Sequence, residues 1–188
     1  YYLSRLLLSV RKTMARKNMR TLLTPVFGCL LMACTPALNW RELPAADGHL
    51  QALFPAKPVT VTRQWKLQET TRPMTLTAAK VEGAQFAAGY VPVSSSQGQS
   101  IARAWAQAML ANIQAKPEAK NHFNPIVVPG AVGAFEMVAS GTVENVPGRI
   151  HAQFAWQADA VLATIAVGPN NVLKAEDAET FAKSMKLQ

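Results

Sequence analysis

The sequence predicts an α+β fold: an antiparallel sheet of about six to seven strands packed with two helices, in the order βββ(β)–α–βββ–α. Three observations predict it. Apolar residues alternate with polar ones at period two in two blocks, residues 50–93 and 134–167. A fourfold-spaced apolar stripe separates the blocks at 100–114. A second amphipathic stretch closes the chain at 175–186.

Residues 50–54 form a short apolar run stopped by Pro55 and Pro58. Over 59–67, Val59, Val61, Trp65 and Leu67 alternate with Thr60, Thr62, Gln64 and Lys66, and Arg63 interrupts the inward set. Over 73–81, Met74, Leu76 and Ala78 share one face, with Thr75 and Thr77 on the other. Phe86, Ala88 and Tyr90 continue the pattern over 84–93, after a hairpin-sized link at Glu82-Gly83. Such alternation implies half-buried antiparallel strands with a polar face outward. Ile101, Trp105, Met109 and Ile113 then line one side of a helix over 100–114, widened by Ala102 and Ala108, with Ser100 as the expected N-cap. Residues 126–129 are apolar, and Pro129-Gly130 signals a turn. Phe135, Met137 and Ala139 alternate over 134–140. In 149–157, Ile150, Ala152, Phe154 and Trp156 alternate with Arg149, His151, Gln153 and Gln157. Residues 161–167 are apolar on both faces, which places that strand at the centre of the sheet. The last helix, 175–186, puts Ala178, Phe181 and Met185 inward, with acids in its first turn and Lys183 and Lys186 in its last.

The N-terminal residues have a different character. Residues 1–20 carry Arg5, Arg11, Lys12, Arg16, Lys17 and Arg20 and no acid; residues 21–33 are uncharged; Cys34 follows. A basic region, a short apolar region and small residues before a cut make a secretory signal. The apolar run is shorter than the roughly 20 residues of a membrane-spanning helix. Leu31-Met32-Ala33-Cys34 resembles the lipobox of bacterial prolipoproteins, which implies cleavage before Cys34 and acylation of its thiol. Cys29, after Gly28, is the alternative acceptor, but it leaves a very short apolar region behind Arg20. The expected start is Met14 or Met19. The expected organisation is thus residues 1–33 as upstream residues plus signal peptide, 34–48 as a lipidated tether with Pro36 and Pro44, and 49–188 as a single α+β domain. Trp40 in the tether either packs back on the domain, which is favoured, or rests among lipid headgroups.

Charge has to be read after that cut. The whole chain has nineteen bases, eleven acids and a net charge of +8; six bases and no acids precede residue 34, which leaves +2. The mature domain therefore lacks the basic stripe of a nucleic-acid binder. Loss of Cys29 and acylation of Cys34 leave no thiol for a disulfide, redox or metal site.

Catalytic constellations are sparse. His49, His122 and His151 lie far apart in sequence, at spacings of 73 and 29 residues, and read as solvated side chains rather than metal ligands. Ser140-Gly141 lacks the nucleophile elbow of hydrolases, and 94–96 reads as a turn-rich loop. Gly130-x-x-Gly133 is too short for a phosphate cradle. Glu176, Asp177 and Glu179 read as helix-start acids. No metal or other cofactor is expected. A candidate ligand pocket lies beneath helix 100–114, lined by Trp105 and Met109, although inward tryptophans are most simply core.

The segment Leu53-Phe54-Pro55-Ala56-Lys57-Pro58 resembles the F-P-x-x-P opening strand of the PsbP/Mog1-like α/β/α sandwich proteins. Phe181-Ala182-Lys183-Ser184-Met185-Lys186-Leu187 resembles their F-x-x-S-F-x-L closing helix. The lipobox followed by Asn39-Trp40-Arg41-Glu42 is similar to small uncharacterised lipoproteins of proteobacteria. The resemblance covers residues 49–188 and implies an assembly or interaction module. The expected function is a non-enzymatic envelope lipoprotein, bound to the membrane through lipid on Cys34 and to an envelope protein partner. The alternative is a small-ligand or lipid-binding module. Thr35, where inner-membrane retention would show Asp, implies the outer membrane, facing the periplasm.

Overall fold

The computed structural model describes residues 38–67, 70–115 and 123–188. Among the described residues, ten strands and two helices follow in order: β1 (Arg41–Ala45), β2 (Leu50–Phe54), β3 (Val59–Leu67), β4 (Thr70–Val81), β5 (Ala84–Pro92), α1 (Gly98–Asn112), β6 (Phe123–Ile126), β7 (Gly133–Val143), β8 (Val146–Trp156), β9 (Ala160–Pro169), α2 (Ala175–Ala182) and β10 (Lys186–Leu187). The fold is α+β. Seven strands form one antiparallel sheet in the order β3-β4-β5-β9-β8-β7-β6, and β1-β2-β10 form a separate three-stranded sheet. The doubly apolar segment, β9, takes the central position.

Register assigns each side chain to a face. One face carries Leu76, Gly89, Ala163, Phe154 and Phe135 in a single row across five strands. Helix α1 lies over it, and Trp105 packs against Phe154 and Trp65 at centroid distances of 5.6 Å each. Gly89 is required by that packing. A Cβ there would lie 2.5 Å from the Trp105 ring and 2.8 Å from Leu76 Cδ2. The other face carries Thr77, Ala88, Thr164, Gln153 and Glu136, with Ala79, Phe86, Ala166 and His151 in the next row. The three-stranded sheet and α2 cover it. Phe181, wholly buried, meets Phe54 and Phe86 at 5.4 Å each.

This second layer corrects the expectation of an outward polar face. Thr75 and Thr77 are buried, hydrogen-bonded to Thr62 at 2.9 Å and Thr60 at 2.7 Å, and Thr77 Oγ1 also accepts the Ala46 N–H at 2.9 Å. Hydroxyls satisfied by one another cost little to bury.

The domain boundary also moves. The expected tether, 34–48, contributes β1, which pairs with β2 from Arg41↔Phe54 to Ala45↔Leu50, and a tight turn in which Ala46 and Asp47 hold φ of 52° and 56°. Two consecutive non-glycine residues in the left-handed region are strained, and the Thr77 bond holds them. Asn39 N–H bonds Pro55 O at 2.8 Å, and Trp40 packs edge-on to Phe86, so Trp40 returns to the domain. The closing helix is shorter than expected. It ends at Ala182, and Lys186 lies in β10, paired with Glu42, rather than in a last helical turn. Helix α1 begins at Gly98 with Gln97 as its N-cap residue, and the Ser100 hydroxyl donates back to Gln97 O at 2.9 Å instead of capping.

The Phe181 contacts join the two layers. Phe181→Ala is expected to lower unfolding stability by about 3–5 kcal/mol, as for other buried aromatic truncations, read from chemical denaturation. A loss under about 1 kcal/mol, the range of surface substitutions, would contradict the seam.

Candidate functional site

Beneath the C-terminal end of α2, three polar side chains converge from two neighbouring strands. Glu136 on β7 alternates with Phe135 and Met137, which face α1, and so points to the α2 side. His151 and Gln153 on β8 lie on that same side, 8% and 7% exposed. The His151 Nε2 to Glu136 Oε1 distance is 2.8 Å, and Gln153 Nε2 donates to the same oxygen at 3.4 Å. In the next strand, Thr164, fully buried, donates to Ala182 O at 2.7 Å, tying β9 to the last turn of α2. Lys183, just beyond α2, pairs with Glu179 one turn earlier.

Burial tends to raise the Glu136 pKa. The hydrogen bonds from His151 and Gln153, and the charges of His151 and Lys183, outweigh it and hold the carboxyl below the ordinary glutamate value. Its anion is therefore the form the fold favours.

A carboxylate beside an imidazole can serve as a general-base pair when it reaches a substrate. Here the shared Glu136 oxygen receives two side chains, and both donors are buried beneath α2. The arrangement cross-links β7 to β8, and the bond from the sheet to α2 is the one Thr164 makes to Ala182 O. His151 is thus not the solvated strand residue expected: it is 8% exposed and bonded to Glu136. Glu136 escaped notice because an acid inside an alternating strand reads as an outward residue. The only sequence signal was its register opposite Gln153, which requires the strand pairing.

The other expected site residues are dispersed. Leu31, Met32, Ala33, Cys34 and His122 lie outside the described residues. His49 is exposed and stacks on Tyr90 at 3.7 Å. Trp105 and Met109 are 2% and 6% exposed, and the Trp105 ring fills the space over Gly89, so Trp105 is core rather than the wall of an open pocket. Glu176 and Asp177 occupy the first turn of α2, as expected. Among the described residues, no group of three or more His, Cys, Asp or Glu gathers where it could hold a metal ion, and no helix is long and apolar enough to cross a membrane.

No family model and no curated protein matches the chain. A crystal structure from Bacteroides thetaiotaomicron VPI-5482 is similar to it with a TM-score of 0.43 and 11% identity, over 78% of this chain and 48% of that one. The chain spans about half the length of that protein, and a likeness of this degree carries no argument.

The lowered Glu136 pKa has a pH signature. Its stabilising contribution is present above the unfolded glutamate pKa of about 4.3 and is lost as pH falls through the lower folded value. Glu136→Gln is therefore expected to flatten the fall in stability on acidification from about pH 5 to pH 3, measured by denaturant midpoints across that range. Parallel acid profiles for the two proteins would contradict the assignment.

Proposed function

We propose that the chain is a membrane-anchored envelope lipoprotein, held by lipid on Cys34 in the outer membrane facing the periplasm, whose domain is a non-enzymatic interaction or assembly module. The observation that carries this reading is the order of the N-terminal residues: six bases without an acid, an uncharged run, then Leu31-Met32-Ala33-Cys34. The position of β1 supports it. Six residues, 35–40, separate Cys34 from the first strand, so acylated cysteine and folded domain are closely joined.

The fold lends support to the assembly-module half of the reading. The two segments that resemble the PsbP/Mog1-like motifs meet in space. Phe54 packs on Phe181, Leu53 N–H bonds Ser184 Oγ at 3.0 Å, and β10 pairs with β2. They form one structural unit, as motif residues that mark a shared core should. The non-enzymatic reading draws on the Glu136–His151 pair, whose hydrogen bonds are spent on each other and on Gln153 between β7 and β8. The small-ligand alternative loses its main support where Trp105 packs onto Gly89.

Stable anchoring takes more than one acyl chain, each buried CH₂ contributing about 0.8 kcal/mol. Cys34→Ala is expected to abolish lipid labelling and either move the domain to the soluble envelope fraction or leave a longer, uncleaved precursor. Unchanged mobility and fractionation would overturn the lipoprotein reading. Crosslinking in living cells tests the other half. One envelope protein joined to the lipidated form but not to a soluble form lacking Cys34 is expected, and equal recovery from both would count against an interaction module.

A further inference from the structure

The β6–β7 hairpin ends in a loop of unusual composition. No charged residue occurs from Phe123 to Phe135. At the loop, Val127 is 93% exposed and Val132 75% exposed, on either side of exposed Pro129 and Gly130. This exposure is imposed by the fold. Val128, between them, is buried in the core. Ala131 N–H bonds Val128 O at 3.1 Å, Val132 N–H bonds Trp156 O at 2.8 Å, and Gln157 Nε2 donates to Gly130 O at 3.4 Å. The loop thus holds two apolar side chains and a proline in solvent at one turn.

The position of the loop indicates what covers it. Gly130 packs against Leu187 of β10, which lies on one side of β2, while β1 lies on the other. Arg41, where the chain enters β1, is two strand spacings and four residues away from Leu187, or about 16 Å. The entry to β1 and the apolar loop thus border the same three-stranded layer. From Asn39, fixed to Pro55 O, back to Cys34 is five residues, which span at most about 18 Å when extended. A cysteine acylated in the bilayer would therefore hold this layer, and the loop at its far edge, within reach of the lipid surface. Two sites joined at that range meet the second partner at high effective concentration.

We propose that the loop at residues 127–132 is a second membrane contact, with Val127 and Val132 inserted at the lipid interface so that the three-stranded layer faces the bilayer. This inference rests on the Cys34 reading above. The opposite sheet face, carrying α1, then points away from the membrane.

The test uses the full lipidated chain in vesicles of phosphatidylethanolamine and phosphatidylglycerol. Val127→Cys, Val132→Cys and Gln107→Cys each introduce a single free thiol, the last on the exposed side of α1. Each variant carries an environment-sensitive fluorophore, and quenching by nitroxide-bearing lipid is the readout. Several-fold stronger quenching at Val127 and Val132 than at Gln107 is expected, and Val127→Asp in the Val132→Cys protein should bring that label down to the Gln107 level. If the protein floats with the vesicles but all three labels respond alike, the loop contact is overturned while the anchor stands. If the tip labels become shielded only in native membranes, unquenched by lipid, a protein covers the loop and the proposal is likewise overturned. If the protein does not float, the Cys34 reading fails, and this inference with it.

Discussion

A sheet with apolar side chains on both faces must be covered on both. In the seven-stranded sheet, β9 is buried along nearly its whole length, with Val161, Ala163 and Ile165 toward α1 and Leu162 and Ala166 toward the other side. Helix α1 between the two strand blocks covers only one face. Nothing within the sheet-forming segments covers the other, so the two ends of the domain fold over it as β1-β2, α2 and β10. Phe54, Phe86 and Phe181 interlock at that seam, and a buried aromatic contributes more area there than any other residue type could. The rest follows from this requirement. It accounts for the buried threonines, the cluster beneath α2 and the short connection to Cys34.

The strands and the central place of β9 were legible because alternation at period two and a doubly apolar run are direct consequences of strand geometry. Residues 59–67 match β3 from end to end. The second layer was not legible, for two physical reasons. Alternation distinguishes two faces but does not say that the polar one is wet. Thr75, Thr77, His151 and Gln153 are dry because elements distant in sequence cover them. Short strands also carry little pattern. β1 has five residues including Pro44, and β10 has two, so the first reads as a linker and the second as the tail of an amphipathic helix. Edge strands tolerate proline, and their existence depends on the partner strand β2, which joins β1 through the turn at residues 46–49 but lies far from β10 in sequence. In the same way, β7 and β8 extend to a turn at Glu144-Asn145, both at positive φ, where a side chain of either type gave only a weak turn signal.

For the polar cluster, sequence supplied the members but not their meeting. Glu136 and His151 are fifteen positions apart and come together only through the β7–β8 register. Once paired they tie β7 to β8, while Thr164 makes the hydrogen bond to α2, and the two helices differ in what holds them. Helix α1 rests on aromatic packing around Trp105, whereas α2 combines Phe181 with a polar floor. The placement of β1 has the larger functional consequence. A flexible tether of fifteen residues would let the domain range freely above a membrane. On the proposed reading, acylation of Cys34 would keep close to the membrane a domain whose first strand starts seven positions later.

Native-state hydrogen exchange on the full chain measures directly whether β1 is part of the folded domain rather than its leash. Amides of β1 that bond to β2 are expected to exchange only through the cooperative opening that also exposes β2 and β10, with protection well above that of a free peptide. Exchange of the Arg41–Ala45 amides at the rate of an unstructured chain would contradict it. The covered second face, the proposed anchor and the proposed membrane contact would then lose their common basis.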